Sequence, residues 1–146
     1  MDVAELLSGG GLFVADTSAW WRVPDLPAEL ALRIQEAIRD DRMLITPVVR
    51  MEILYSARSA AEYAGLDARL STLRMLRNDS AATDAAMSAL GELAERGDGY
   101  HRVPVTDALI AAAAAEQGGV AVLHRDTHYN RLAEVLAFDS VALPVP

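Results

Sequence analysis

Four acidic residues are spaced along this chain so that they could share one reactive centre: Asp16, Glu52, Asp107 and Asp126. Asp16 directly follows Leu12-Phe13-Val14-Ala15, an apolar run that reads as a buried strand. Asp126 stands three residues past a second such run, Val120–Leu123. Asp107 follows Val103-Pro104-Val105 and opens an apolar helix, while Glu52 sits about two turns into the helix after Met43-Leu44-Ile45. Sites of open parallel sheets form beyond the carboxyl ends of the strands, where strand order switches. Four segments can therefore bring one acid each to the same edge. Taken singly, each acid is ordinary: a turn residue, a helix-dipole partner or a surface carboxylate. Glu52, among Val48, Val49, Met51, Ile53 and Leu54, and Asp107, before Ala108-Leu109-Ile110, lie in apolar company and need a positive partner. Arg50, Arg102 or Arg125 could supply it, and so could a hard divalent cation such as Mg²⁺ or Mn²⁺.

The elements that position these acids alternate. Helices are predicted over Ala28–Asp40, from Thr46-Pro47 (cap plus first-turn proline), over Ala60–Ser71 and over Ala81–Arg96 with Ala85, Leu90, Leu93 and Ala94 inward. Another runs from Thr106 as N-cap to Gly118-Gly119, and a last one covers Tyr129–Leu136. Short strands are expected at Leu73–Leu76 and Val141–Val145 besides the three runs already named. Strands alternating with helices imply an α/β sandwich with a mainly parallel central sheet of about four or five strands. The 146 residues make one domain, with residues 1–11 expected as a flexible N-terminal extension.

Composition narrows the function classes. There is no cysteine, which removes disulfides and thiolate metal sites and fits a reducing cytoplasm. No apolar run reaches the roughly 18–20 residues of a membrane span, and the acidic start does not order its residues as a secretion signal does. The formal charge is −8, and every one of the 13 basic residues is arginine. A protein that grips nucleic acid chiefly by neutralising phosphates should be basic. If this chain binds nucleic acid, metal ions and a few local arginines must carry the contact.

Four blocks resemble the motifs of PIN-domain nucleases: Asp16-Thr17-Ser18; Val49-Arg50-Met51-Glu52-Ile53; Val103 through Ala112 around Asp107; and Leu123-His124-Arg125-Asp126-Thr127-His128-Tyr129. The third, led by Tyr100-His101-Arg102, is especially similar to VapC toxins. The resemblance runs from about Leu12 to the C-terminus. It implies a PIN-like α/β/α fold and hydrolysis of RNA phosphodiesters with Mg²⁺ or Mn²⁺, as the toxin of a toxin–antitoxin pair. Asp16 and Asp107 would be the main metal ligands, with Glu52 and Asp126 acting directly or through waters. Thr17, Ser18 and Thr106 would support them, and Arg22, Arg50 and Arg125 would be nearest to bound RNA. A homodimer and a cognate antitoxin are the implied partners.

One departure stands out. VapC-like sequences often carry two acids in the last block, and here His128 holds the second place. His128 is expected as an exposed helix-start residue, with proton donation or phosphate contact as its functional alternative. Trp20-Trp21 is expected to bury one ring and expose the other. Two alternatives keep the fold: an RNA-processing nuclease that is not a toxin, and an inactive module that docks a partner. An aspartyl phosphatase is disfavoured, since Ser18 stands where a second Asp belongs and lysine is absent.

Overall fold

The computed structural model describes residues 1–144. Its elements run α1 (Val3–Ser8), β1 (Leu12–Ala15), α2 (Thr17–Trp20), a 3₁₀ turn (Val23–Asp25), α3 (Ala28–Arg39), β2 (Met43–Ile45), α4 (Pro47–Tyr55) and α5 (Ala60–Leu70). They continue with β3 (Arg74–Met75), α6 (Ser80–Arg96), α7 (Val105–Gln117), β4 (Val120–His124), α8 (His128–Leu132) and β5 (Asp139–Ala142). Among the described residues five strands form one sheet in the order β3-β2-β1-β4-β5, every pair parallel. Strand order therefore switches direction at β1, between β2 on one side and β4 on the other.

Both faces of this sheet are covered, which explains the unbroken apolar strands. Alternate residues serve opposite faces. Val14 of β1 and Val120 and Val122 of β4 pack with Val49 and Ile53 of α4, Leu93 of α6 and Ile110 of α7. Phe13, Ala15, Ala121 and Leu123 pack with Leu6 and Leu7 of α1, Ala19 of α2 and Ile34 and Ala37 of α3. The result is a three-layer sandwich, as the alternation of elements implies. Among the described residues no helix is long and apolar enough to cross a membrane.

Thr46 caps α4 as expected, its hydroxyl accepting from Val49 N–H at 3.2 Å. In α6 the inward face is Ala82, Ala86, Ala89 and Leu93, while Ala94 is exposed and Ala85 and Leu90 pack at its edge. The apolar residues of that helix are too evenly spread for their spacing to fix its rotation. α7 is buried nearly all round against α6 and β4, and its alanines let the helices approach closely. It stops at Gly118 and Gly119, whose φ of 76° and 69° suit residues without a side chain. The last helix ends at Leu132, four residues before the sequence suggests, and Val145 of the last predicted strand lies outside the described residues.

The first eleven residues, expected as a flexible extension, carry α1. Asp2 and Glu5 form a capping box at its start. Leu6 and Leu7 are only 3% and 2% exposed, and Arg42 donates to the carbonyls of Gly9 and Leu7. A Leu-Leu pair on so short a helix carries no visible periodicity, so its packing shows only in three dimensions. Leu7→Ala is expected to cost about 2–5 kcal/mol in urea unfolding, as for other buried leucines. A loose extension would give almost no change.

Candidate metal centre

The carboxyl ends of β1 and β4 are level, with Ala15 opposite Leu123. Asp16 N–H donates to the Leu123 carbonyl at 2.9 Å, which fixes the first acid against the neighbouring strand. Its side chain caps α2, Oδ2 accepting from Ser18 N–H (3.3 Å) and from the Ser18 hydroxyl (2.7 Å). Ser18 Oγ in turn accepts from Arg125 N–H at 3.1 Å. One serine thus ties the loop after β1 to the loop after β4.

Asp107 lies in the first turn of α7 and is only 6% exposed. The helix begins at Val105 with Pro104 in the cap position and no side-chain cap bond. Thr106 is consequently a half-buried helical residue and not the expected N-cap. Burial pushes the Asp107 carboxyl up to about 7, and the charges of Asp16 and Asp126 push the same way. His128 and the Tyr129 hydroxyl, which donates to Oδ1 at 3.4 Å, pull against them. Oδ2 is shut off from solvent and has no hydrogen-bond partner among the described residues.

Asp126 is held from both sides of its loop. Its N–H donates to His124 Nδ1 at 3.1 Å, and its Oδ1 accepts from His128 N–H at 3.0 Å. His124 is buried, and burial lowers its pKa despite the nearby Asp16 and Asp126 charges. With Nδ1 accepting, the ring proton belongs on Nε2, which is 2.7 Å from Ser140 Oγ; that hydroxyl donates to Asn130 Oδ1 at 3.1 Å. The ring also stacks on Tyr129 at 4.9 Å.

His128 starts α8 as the sequence suggests, but it is half-buried and not fully exposed. Its ring turns inward, with Nδ1 2.6 Å from Asp126 Oδ1 and 3.5 Å from Asp107 Oδ2. Asp107, Asp126 and His128 each offer one ligand atom, all within 4.8 Å of one another. Asp16 joins this group through its charge on Asp107. Glu52 stands at the outer edge, exposed and not enclosed by its apolar neighbours, with Oε1 accepting from the Thr17 hydroxyl at 3.1 Å. Its pKa is raised, by partial burial first and by Asp16 less, while Thr17 opposes both.

The expected arginines are engaged differently. Arg50 holds Asp67 at 2.6 Å, and Arg125 donates to the carbonyls of Leu143 and Pro144 at 3.3 and 2.9 Å. Arg22 is exposed. Trp20 is largely packed between the two cores, whereas Trp21 is 52% exposed, the division expected of the pair. Trp21, Thr17, Met51, Glu52, Tyr55 and Ser56 line an open pocket of about 500 Å³.

The residues present fit a divalent cation. Two carboxylates and an imidazole converge, with Asp16 near enough for its charge to act on Asp107, and a buried, unpartnered carboxylate oxygen faces a buried, unpartnered ring nitrogen. Sequence reasoning missed two contributors, Tyr129 and His124. A tyrosine buried in an apolar helix requires a partner for its hydroxyl, and that requirement was the available signal for Tyr129.

Known proteins are similar to this chain to different depths. The family model described as PIN domain matches residues 13–135. Ribonuclease VapC18 of Mycobacterium tuberculosis is 38% identical over 125 residues, which cover 85% of this chain and 89% of that protein. Ribonuclease VapC17 of the same species is 34% identical over 93 residues. Among solved structures, DNA-bound VapBC from Salmonella typhimurium superposes with a TM-score of 0.67 at 24% identity, covering 89% of this chain and 96% of that one. VapBC2 from Rickettsia felis, bound to a promoter fragment, gives 0.70 at 15% identity, covering 91% and 99%.

Proposed function

Because this chain belongs to the PIN domain family, we propose that it is a divalent-metal-dependent endoribonuclease and the toxin of a toxin–antitoxin pair. The observation that carries this reading is the convergence of Asp107, Asp126 and His128 beside Asp16 at the strand-order switch, with Asp107 Oδ2 buried and unpartnered among the described residues. Asp107, Asp126 and Asp16 would hold Mg²⁺ or Mn²⁺. When bound, such an ion supplies an activated water and offsets charge building on the leaving oxygen.

The chain's own groups orient the rest. Ser18 fixes the Asp16 carboxylate, Tyr129 steadies Asp107, and His124 anchors the backbone that carries Asp126. Glu52 Oε2 makes no hydrogen bond among the described residues, so it can accept or release a proton at the substrate edge. Next to it, Trp21 and Tyr55 offer exposed aromatic faces on which unstacked bases could lie. The net charge of −8 then ceases to conflict with an RNA substrate, since the cation and local groups such as Arg22 meet the phosphates. The named relatives are ribonucleases, and the solved neighbours are VapBC assemblies. They support a cognate antitoxin as partner, with a homodimer and a cytoplasmic site of action as parts of the same reading.

Expression in a bacterium, with sequencing of new RNA 5′ ends, tests the whole proposal. The wild-type chain should arrest growth and create defined ends, and Asp16→Asn should do neither while folding normally. Persistent arrest by Asp16→Asn would place the harm elsewhere. Tyr129→Phe tests the support beneath the acids. It is expected to weaken Mn²⁺ binding about tenfold, the low end for losing a group that orients a ligand. Calorimetric titration reads the change, and an unaltered affinity would leave Tyr129 a packing residue only.

A further inference from the structure

The imidazole in the centre distinguishes this chain from a purely acidic site. His128 is the first residue of α8, and backbone and side chain together turn it toward the acids. Its N–H donates to Asp126 Oδ1, while its Nδ1 lies between that oxygen (2.6 Å) and Asp107 Oδ2 (3.5 Å). Nδ1 and Asp107 Oδ2 are both closed to solvent, and neither makes a hydrogen bond among the described residues. The short approach to Asp126 therefore lacks hydrogen-bond alignment. Two ligands at roughly 2.1 Å on adjacent corners of an octahedral ion stand roughly 3 Å apart. The two Nδ1 distances straddle that spacing, as they would around a shared point of coordination.

We propose that His128 is a nitrogen ligand of the divalent cation and makes this centre selective for Mn²⁺ over Mg²⁺. The proposal rests on the metal-centre reading above and asks more of it. Mg²⁺ is hard, keeps its waters and takes oxygen ligands, so a nitrogen in its first shell is a poor exchange for water. First-row transition ions accept imidazole, with affinity rising from Mn²⁺ to Cu²⁺. Mn²⁺ stands lowest in that order yet shares the octahedral oxygen chemistry of Mg²⁺, which makes it the stringent probe. The competing role for His128 is a charge partner for Asp107 and Asp126 that leaves when any cation arrives. That role confers no preference between the two ions.

The test uses the full chain with Mn²⁺ and Mg²⁺ alone, without RNA. Calorimetric affinities for both ions would be measured on wild type, His128→Asp and His128→Ala, with circular dichroism to confirm folding. Pulsed electron paramagnetic resonance of bound Mn²⁺ reads nitrogen coordination directly. His124 does not confuse the reading, since both its ring nitrogens are engaged by Asp126 N–H and Ser140. The wild type should show ¹⁴N coupling, which both variants should lose. His128→Asp should reduce the preference for Mn²⁺ over Mg²⁺ about tenfold or more, chiefly by tightening Mg²⁺. Mn²⁺ bound without nitrogen coupling, or an unchanged preference in His128→Asp, overturns the role of His128 and leaves the nuclease reading standing. Failure of the wild type to bind either ion overturns both.

Discussion

Asp107→Asn should drive RNA cleavage down and metal-free stability up. Asparagine has the same shape and keeps a carbonyl oxygen for the Tyr129 hydroxyl, so the packing around α7 survives. What it loses is an anion, in a place where burial and the charges of Asp16 and Asp126 already oppose one. Removing a desolvated, repelled charge stabilises the chain in the absence of metal. The same charge is what a cation would be held by. Metal-ion stabilisation of a transition state is worth several kcal/mol, so its loss should lower the cleavage rate roughly a thousandfold.

Two measurements check the pair of effects: cleavage of a labelled RNA with Mn²⁺, and melting with and without Mn²⁺. The variant should melt above wild type in chelator, and Mn²⁺ should raise its melting temperature much less than it raises that of wild type. A variant that cuts at the wild-type rate would remove Asp107 from the centre. A variant destabilised in chelator would mean that Asp107 is kept for folding. The opposition of sign separates a functional carboxylate from a structural one.

The sheet was legible because buried parallel strands leave a plain mark, short apolar runs ending in a polar residue; the strand order, and with it the switch at β1, was not. Asp16 and Asp126 follow directly from β1 and β4 by that logic, and Asp107 from the helix that opens after Val103-Pro104-Val105. What the sequence hid is what depends on side-chain direction. Leu6 and Leu7 form too short a pattern to announce a packed helix. Glu52 has apolar neighbours in sequence, yet Val49 and Ile53 take the inward face of α4 and leave it at the exposed edge. Arg50 and Arg125 lie near the acids in sequence, but their guanidinium groups reach Asp67 and the carbonyls after β5. His128 is the sharpest case. A histidine at the start of a helix is ordinarily solvated, and only the turn from β4 into α8 aims its ring at two carboxylates.

Without metal, the protein should lose stability as pH rises from 4 to 7, and Asp107 should be a main cause. Its carboxyl is held at about 7 in the fold against 3.8 for the ordinary group. A group whose pKa rises on folding binds its proton more tightly in the native state. That contribution is fully present below about pH 4 and is lost as pH climbs through about 7. A difference of this size corresponds to roughly 4 kcal/mol at most. With 21 acidic residues in the chain, the net profile is not that of Asp107 alone. The decisive quantity is therefore the difference between wild type and Asp107→Asn, measured by urea unfolding in chelator at each pH. The variant, with no proton to lose there, should show a shallower decline, and its advantage should grow from near zero at pH 4 to its maximum above pH 7. Saturating Mn²⁺ should abolish that advantage, because the cation takes the place of the proton. Its affinity should rise by up to about tenfold per pH unit until Asp107 is ionised. Parallel pH profiles for the two proteins in chelator would show that Asp107 is already charged at low pH. The unpartnered Oδ2 would then have found another partner in solution.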